Sequence, residues 1–251
     1  MLSVVKAEFS KTLIEIKTYY PDHIVDVFIK FFLFLTFFIG FGQKNISTDL
    51  FCLGYSFWMI ASYIISEASE SISYEKQVGT IEQIFIKPFQ TQTILIVRSL
   101  MHFCVSLFKF ILLYILVLLI LKVQFSLKAQ ILVVYAISII GFLGVGIFLS
   151  ALTLIFTKTA SFEAIVSYAL LGVSGVIIPF DKMPQLLGST LKVFPYFYQI
   201  DMAQRISLNN SAMPLDWIIL LLSNLAMCIV GFVFFNLCAR HVRNHGLINK
   251  Y

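Results

Sequence analysis

Charge is scarce in this chain. Asp, Glu, Lys and Arg make up 12% of its 251 residues, about half of what a soluble domain carries. Other signatures are missing outright. No G-x-x-x-x-G-K-[ST] string occurs, so there is no loop whose glycine amides and Lys could cradle nucleotide phosphates. The four histidines (His23, His102, His241, His245) form no H-E-x-x-H pattern. The four cysteines (Cys52, Cys104, Cys228, Cys238) lie in or beside apolar runs with no C-x-x-C pair. A metal site or disulfide framework is therefore not written here, and the thiols read as small apolar side chains. No intramembrane acid pair or nucleophile–base pattern points to an enzyme. No basic run with interleaved aromatics points to nucleic acid.

What is abundant is apolar surface. Hydrophobic residues reach 59% and mean hydropathy is +0.92, which places the chain in a bilayer. Apolar runs occur near 25–41, 50–66, 100–121, 131–156, 164–178 and 217–239. A span needs roughly 20 helical residues, with a range of about 17–25. The third, fourth and sixth runs meet this alone, and the others need their polar flanks. The expectation is an all-α polytopic protein with about six membrane helices; five or seven follow if a marginal run is dropped or split.

Lys and Arg set the orientation. With the N-terminus inside, Lys6, Lys11, Lys17, Lys76, Lys87, Arg98, Lys158, Arg240, Arg243 and Lys250 fall on the cytoplasmic side. Lys44, Lys122, Lys128, Lys182, Lys192 and Arg205 fall outside. Both termini are expected in the cytoplasm. No cleavable signal is visible, because the first apolar run follows Lys6, Glu8, Lys11, Glu15 and Lys17 without a small-residue cleavage pattern. Over residues 1–22, Val5, Phe9, Leu13, Ile16 and Tyr20 recur at helical spacing. That is the pattern of an amphipathic helix lying in the membrane interface before Pro21 turns the chain inward; a helix packed on a soluble partner is the alternative.

The most informative stretch is the polar island from Glu75 to Pro88, inside a cytoplasmic segment of 67–99. Gly79 permits a chain reversal at positive φ. Thr80 and Gln83 have the spacing of a capping box. Ile81, Ile84 and Phe85 then form one apolar stripe, and Pro88 ends the helix after about two turns. Glu82 is the candidate polar contact and Phe85 the candidate apolar anchor for a partner; a helix resting on lipid headgroups is the alternative. Glu67, Glu70 and Glu75 read as an acidic extension, either solvated or touching that partner.

Within the spans, Lys109 is the odd residue. An ionisable group at the bilayer centre costs at least about 2.5–3.5 kcal/mol and usually faces a cavity or a partner. If its span starts near Phe103, it lies only about 9–10 Å deep and can snorkel. Lys30 has Asp26 four residues earlier, the favourable order for a helical ion pair. Gly141, Gly144, Gly146, Gly172 and Gly175 suggest close helix packing. Residues 179–215 are only partly hydrophobic: Pro184 can open a helix with Leu186, Leu187 and Leu191 on one face, and Phe194–Tyr198 suits an interfacial belt.

The stretch Glu75–Pro88, best at Gly79, Thr80, Ile81, Glu82 and Pro88, resembles the cytoplasmic coupling region of ABC-2-type transporter permeases. A second patch, Ser174–Pro184 with Phe194-Pro195-Tyr196 and Asp201–Arg205, is similar to the same family in the same order. The resemblance extends over most of the chain as a single transmembrane domain, 1–251. It implies the permease subunit of a bacterial exporter in the plasma membrane, among its lipids, paired with a second permease copy or homologue. It also implies cytoplasmic ATPase subunits that bind the ATP and magnesium, this chain holding no cofactor. Gly79, Thr80, Ile81, Glu82, Gln83, Phe85 and Pro88 would be the ATPase-coupling residues, with Lys109 a pathway candidate and 179–215 an outer re-entrant hairpin. The competing class is a non-transporting sensor, scaffold or toxin-immunity subunit that recruits such an ATPase; a regulator rather than an ATPase encoded next to the gene would favour it.

Overall fold

The computed structural model describes residues 2–42, 47–79, 91–121, 128–156, 160–177, 194–210 and 212–245. Among them the chain is helical, with no strand: α1 Leu2–Thr18, α2 Tyr20–Phe37 (continued by a π turn, Phe38–Gly42), α3 Thr48–Gln77, α4 Thr91–Leu121, α5 Ala129–Ile155, α6 Ala160–Gly172, α7 Pro195–Ser207 and α8 Pro214–His245. Pro residues open α2, α7 and α8, where the missing N–H costs no intrahelical bond. Five helices are long and apolar enough to cross a membrane, namely α2, α3, α4, α5 and α8, and α6 is a shorter apolar helix. This is an all-α polytopic membrane protein.

Contact order along the helices fixes their directions. Lys30 meets Ser62 while Phe34 meets Phe51, so α2 runs antiparallel to α3. Arg98 bonds Ser71 and Lys109 sits over the Tyr63 ring, so α4 is antiparallel as well. Glu163 bonds Ser69, and Trp58 donates to the Ser167 carbonyl, which makes α6 antiparallel too. By contrast Tyr135 stacks on Phe57 and Thr153 bonds Ser69, so α5 runs with α3. Phe148 stacks on Phe234, and Gly144 packs on Cys228, so α8 runs with α5. Among the described residues the five long helices and the short α6 therefore alternate in direction along the chain. At about 1.5 Å per residue α6 spans roughly 20 Å, less than a ~30 Å hydrocarbon core. The turn after Gly172 brings Ser174 and Val176 against Gly54.

These contacts put α1, the last turns of α3 and the last turns of α8 at one end of the bundle. Val242 and Cys238 share a cluster there with Ile72 and Leu154. At the other end α7 is sunk into the protein, with Tyr196, Phe197, Ile200 and Ala203 packed among Leu53, Phe57, Ile131 and Leu220. Lys128 holds the C-terminus of α7 by donating to the carbonyls of Ile206 and Ser207 at 2.6 and 3.0 Å and to Asn209 Oδ1 at 2.6 Å. A cation at a helix C-terminus also complements the macrodipole. Tyr198 donates to Asp216 at 2.7 Å and ties α7 to the start of α8; burial and that bond push the phenol up to about 12. Of the segment 179–215 expected to form a re-entrant hairpin, residues 179–193 lie outside the described residues.

The glycines divide into three roles, where the sequence pattern gave them one. A Cβ at Gly144 would stand 2.6 Å from Cys228 Cα, and one at Gly231 would strike the Gly144 carbonyl. These two, with Gly141 against Asn224, let α5 and α8 meet backbone to backbone, the way membrane helices gain packing without a hydrophobic driving force. Gly172, however, has open space where its Cβ would be. Gly175 has φ 79 and makes a turn. Overpacking typically costs ~1–3 kcal/mol. Gly144→Ala should therefore lower the detergent-phase melting temperature by several degrees, whereas Gly172→Ala should leave it unchanged. Equal melting of the two variants would contradict the α5–α8 contact.

Candidate functional site

Counted from Thr48, a ~30 Å core uses about 20 of the 30 residues of α3. Its last turns therefore stand at the membrane face as a stem, and the stem ends at Gly79, which has φ 75. The Gly79 amide donates to the Lys76 carbonyl at 3.1 Å and closes the helix. The positive φ expected at Gly79 is present. Thr80, Ile81, Glu82, Gln83, Phe85 and Pro88 lie outside the described residues.

Two adjacent residues anchor the stem on opposite sides. Glu75 accepts from Arg98 at 3.2 Å and from Lys11 at 3.1 Å. Arg98 also clamps Glu8, through Nε at 3.1 Å and Nη2 at 3.2 Å, and donates to Ser71 at 2.8 Å. This two-point grip on one carboxylate is the geometry for which the guanidinium fork is suited. Glu8, Glu75 and Arg98 are all buried, so α1, α3 and α4 are joined through one ionic knot. Lys76, about 100° further round the helix, turns the other way. It donates to the Thr153 and Leu154 carbonyls at 3.2 and 3.0 Å, capping the C-terminus of α5. Seven residues earlier, Ser69 bonds both Thr153 and Glu163, which brings in α6.

This corrects the reading of Glu75 as a solvated or partner-facing acid. It is a buried ligand of Arg98, because an arginine in that position needs more than one carboxylate oxygen to satisfy its donors. Glu70 is exposed, as expected of a solvated acid. No local pattern marks Arg98 and Glu8 as partners, since they lie 90 residues apart.

The amphipathic helix is present as α1, broken from α2 at Tyr19. Its buried face is Val4, Glu8 and Thr12, while Phe9, Leu13 and Tyr20 are exposed. Val4 packs with Ile94, Val97 and Val5 beside the Glu8–Arg98 contact, so the docked face is part apolar and part ionic, while Phe9 and Leu13 stay at its exposed edge.

The Lys30–Asp26 pair is also corrected. Asp26 instead meets Lys109 at 2.9 Å, and Lys30 donates to Ser62 Oγ at 3.3 Å with its ammonium 4.4 Å from the Trp58 ring centroid. An exposed i,i+4 pair is worth only about 0.2–0.5 kcal/mol, far less than the cost of an unpaired charge at Lys109's depth. Lys109 is 5% exposed and lies 4.7 Å from the Tyr63 ring centroid, so it is partnered within the bundle and does not snorkel.

Between α1, α2, α3 and α4 these charges line a cavity of about 520 Å³. Along α3 it follows the stripe Ser62, Ser66, Glu70 and Tyr74, and it reaches from Arg98 at the stem to Lys109 and Lys30. No group of three His, Cys, Asp or Glu side chains among the described residues could hold a metal.

The profile of the ABC-2 type transporter family matches residues 3–208. The chain belongs to this family. It is thus a membrane component of ABC transporters and not itself a catalytic subunit, and the family works with ABC ATPases in general. A search of curated proteins gave no match. Within the permease, the buried ion pair makes a clear forecast. Lys109→Met should lower stability, by less than the ~3–5 kcal/mol of a fully buried broken pair because Asp26 is one-third exposed. The double variant Asp26→Asn/Lys109→Met should recover most of that loss in thermal unfolding. Unchanged or raised stability of Lys109→Met alone would mean that the pair is not formed.

Proposed function

We propose that this permease is the transmembrane subunit of an ATP-driven bacterial exporter in the plasma membrane, and that Thr80–Pro88 docks on a separate cytoplasmic ATPase. The observation that carries this reading is the double anchoring of the stem, with Glu75 tied to α1 and α4 and Lys76 tied to α5. A segment hung from a hinge would absorb a push locally. One hung from this stem passes the push to four helices.

In this reading the ATPase binds ATP and magnesium, and its closure moves the coupling segment. Phe85 fills an apolar pocket on the ATPase, Glu82 makes the polar contact, and Ile81 and Ile84 complete the stripe. Gly79, Thr80, Gln83 and Pro88 shape and bound the helix. The stem then tilts α3, and the route opens against a second permease, copy or homologue. The end bearing α1 and the last turns of α8 is cytoplasmic, which is supported by Lys6, Lys11, Lys17 and Arg240 at that end. Lys109 and Asp26 lie where a substrate entering the bundle would meet charge.

The test is co-expression with a partner ATPase. Glu82→Lys or Phe85→Ala should reduce ATPase co-purification, or substrate-stimulated hydrolysis, at least ten-fold while membrane insertion is retained. Wild-type co-purification and coupling in both variants would remove Thr80–Pro88 as the contact.

A further inference from the structure

The charged cavity has an apolar neighbour. A groove of about 560 Å³ runs between α1, α2 and α4, lined by Phe9, Leu13, Phe28, Phe108, Leu112 and Leu116 among others. The two share a wall made of Thr12, His23 and Lys109. Lys109 shows how the wall is built: its side chain borders the groove, while its ammonium bonds Asp26 on the polar side. Its aliphatic stem and its ammonium thus face different surroundings.

Charges inside the polar cavity are not evenly matched. Arg98 is held by Glu8 and Glu75, Lys11 by Glu15 and Glu75, and Lys109 by Asp26. Lys30 has no carboxylate within 4.0 Å among the described residues; Asp26 acts on it from further off, but that carboxylate is already bonded to Lys109. It donates one bond, to Ser62, and rests over Trp58. An ammonium has three donors, so this one has capacity left. Lys30 and Lys109 lie 5.3 and 4.7 Å from the same Tyr63 ring centroid, hence within about 10 Å of one another. The other acids lining the cavity sit nearer the stem: Asp22 and Glu70 are each eight residues from the Lys30–Ser62 level, roughly 12 Å along their helices. The deep end of the cavity therefore has two cations and one anion.

We infer that the paired cavities bind an anionic amphiphile, with its phosphate or carboxylate at Lys30 and Lys109 and its apolar chain in the groove. The dimensions fit. From Met101 to Leu116 the groove follows α4 for roughly 22 Å, more than the ~15 Å depth of one leaflet's hydrocarbon. Charge and shape select the same kind of molecule, since neither a soluble anion nor a hydrocarbon would use both halves. The occupant is either a resident membrane lipid or an exported amphiphile, and both present this chemistry. The inference stands apart from the coupling segment, because binding is measured on the permease without its ATPase.

The experiment is equilibrium binding of dodecyl phosphate to the purified, delipidated permease in a neutral detergent. Butyl phosphate and dodecyltrimethylammonium serve as comparison probes. Wild type should bind dodecyl phosphate at least ten-fold tighter than either comparison. Lys30→Met should weaken it at least ten-fold, while Lys30→Arg should stay within a few-fold. Leu112→Asn, remote from the charges, should weaken dodecyl phosphate without affecting butyl phosphate, and it keeps the test informative should Lys30→Met fail to fold. Phospholipid that co-purifies with wild type and is lost from Lys30→Met identifies a resident lipid. No co-purified phospholipid, with dodecyl phosphate still bound at Lys30, identifies a transient occupant. Equal binding by wild type and folded Lys30→Met, or tighter binding of dodecyltrimethylammonium, would overturn the inference.

Discussion

A charge taken out of water has to be met by protein, and in this permease that requirement decides how the helices are tied at one end. Arg98 is the centre of it. Four hydrogen bonds reach from it to Glu8 on α1 and to Glu75 and Ser71 on α3, so three helices converge on one guanidinium. Breaking a buried pair costs far more than the net gain of forming it. The knot therefore acts more as a constraint on how the helices can move than as a reservoir of stability. Lys76 extends the constraint to α5 by capping its carbonyls.

The opposite end is held differently. There α7 is buried among aromatic and aliphatic side chains, and Lys128 and Tyr198 fasten its two ends. Between the two ends, α5 and α8 meet through Gly144 and Gly231 with almost no side chain between them. This close seam suits a rigid unit, as membrane helices gain from packing rather than from hiding apolar surface. The polar cavity lies on the other side of α3, among α1, α2 and α4.

Much of the fold was legible because its causes are local. Apolar run length gave the spans, Pro21 marked the turn of the chain into the bundle, and Gly79 marked the end of the stem, whereas the helix opened by Pro195 was read only as an aromatic belt. The fifth run was legible only as a run, since α6 stops at Gly172 and is too short to cross by itself. Partnerships across the bundle were not legible. Asp26 precedes Lys30 by one helical turn, yet its partner is 83 residues away. Glu75 read as an exposed acid because nothing in its neighbourhood in sequence announces Arg98. The stripe on α1 gave the helix, but its packed face joins Val4 to the ionic Glu8, and Phe9 and Leu13 stay exposed.

The central claim is that Arg98 makes α1 and the stem of α3 one mechanical unit. Spin labels at Ser10 and Gln77, both exposed, report it through the distance distribution between them in the intact permease in lipid nanodiscs. The account predicts a single narrow distribution in wild type and a broad or shifted one in Arg98→Met, with the Gly172→Ala control unchanged. An identical narrow distribution in folded Arg98→Met would contradict it.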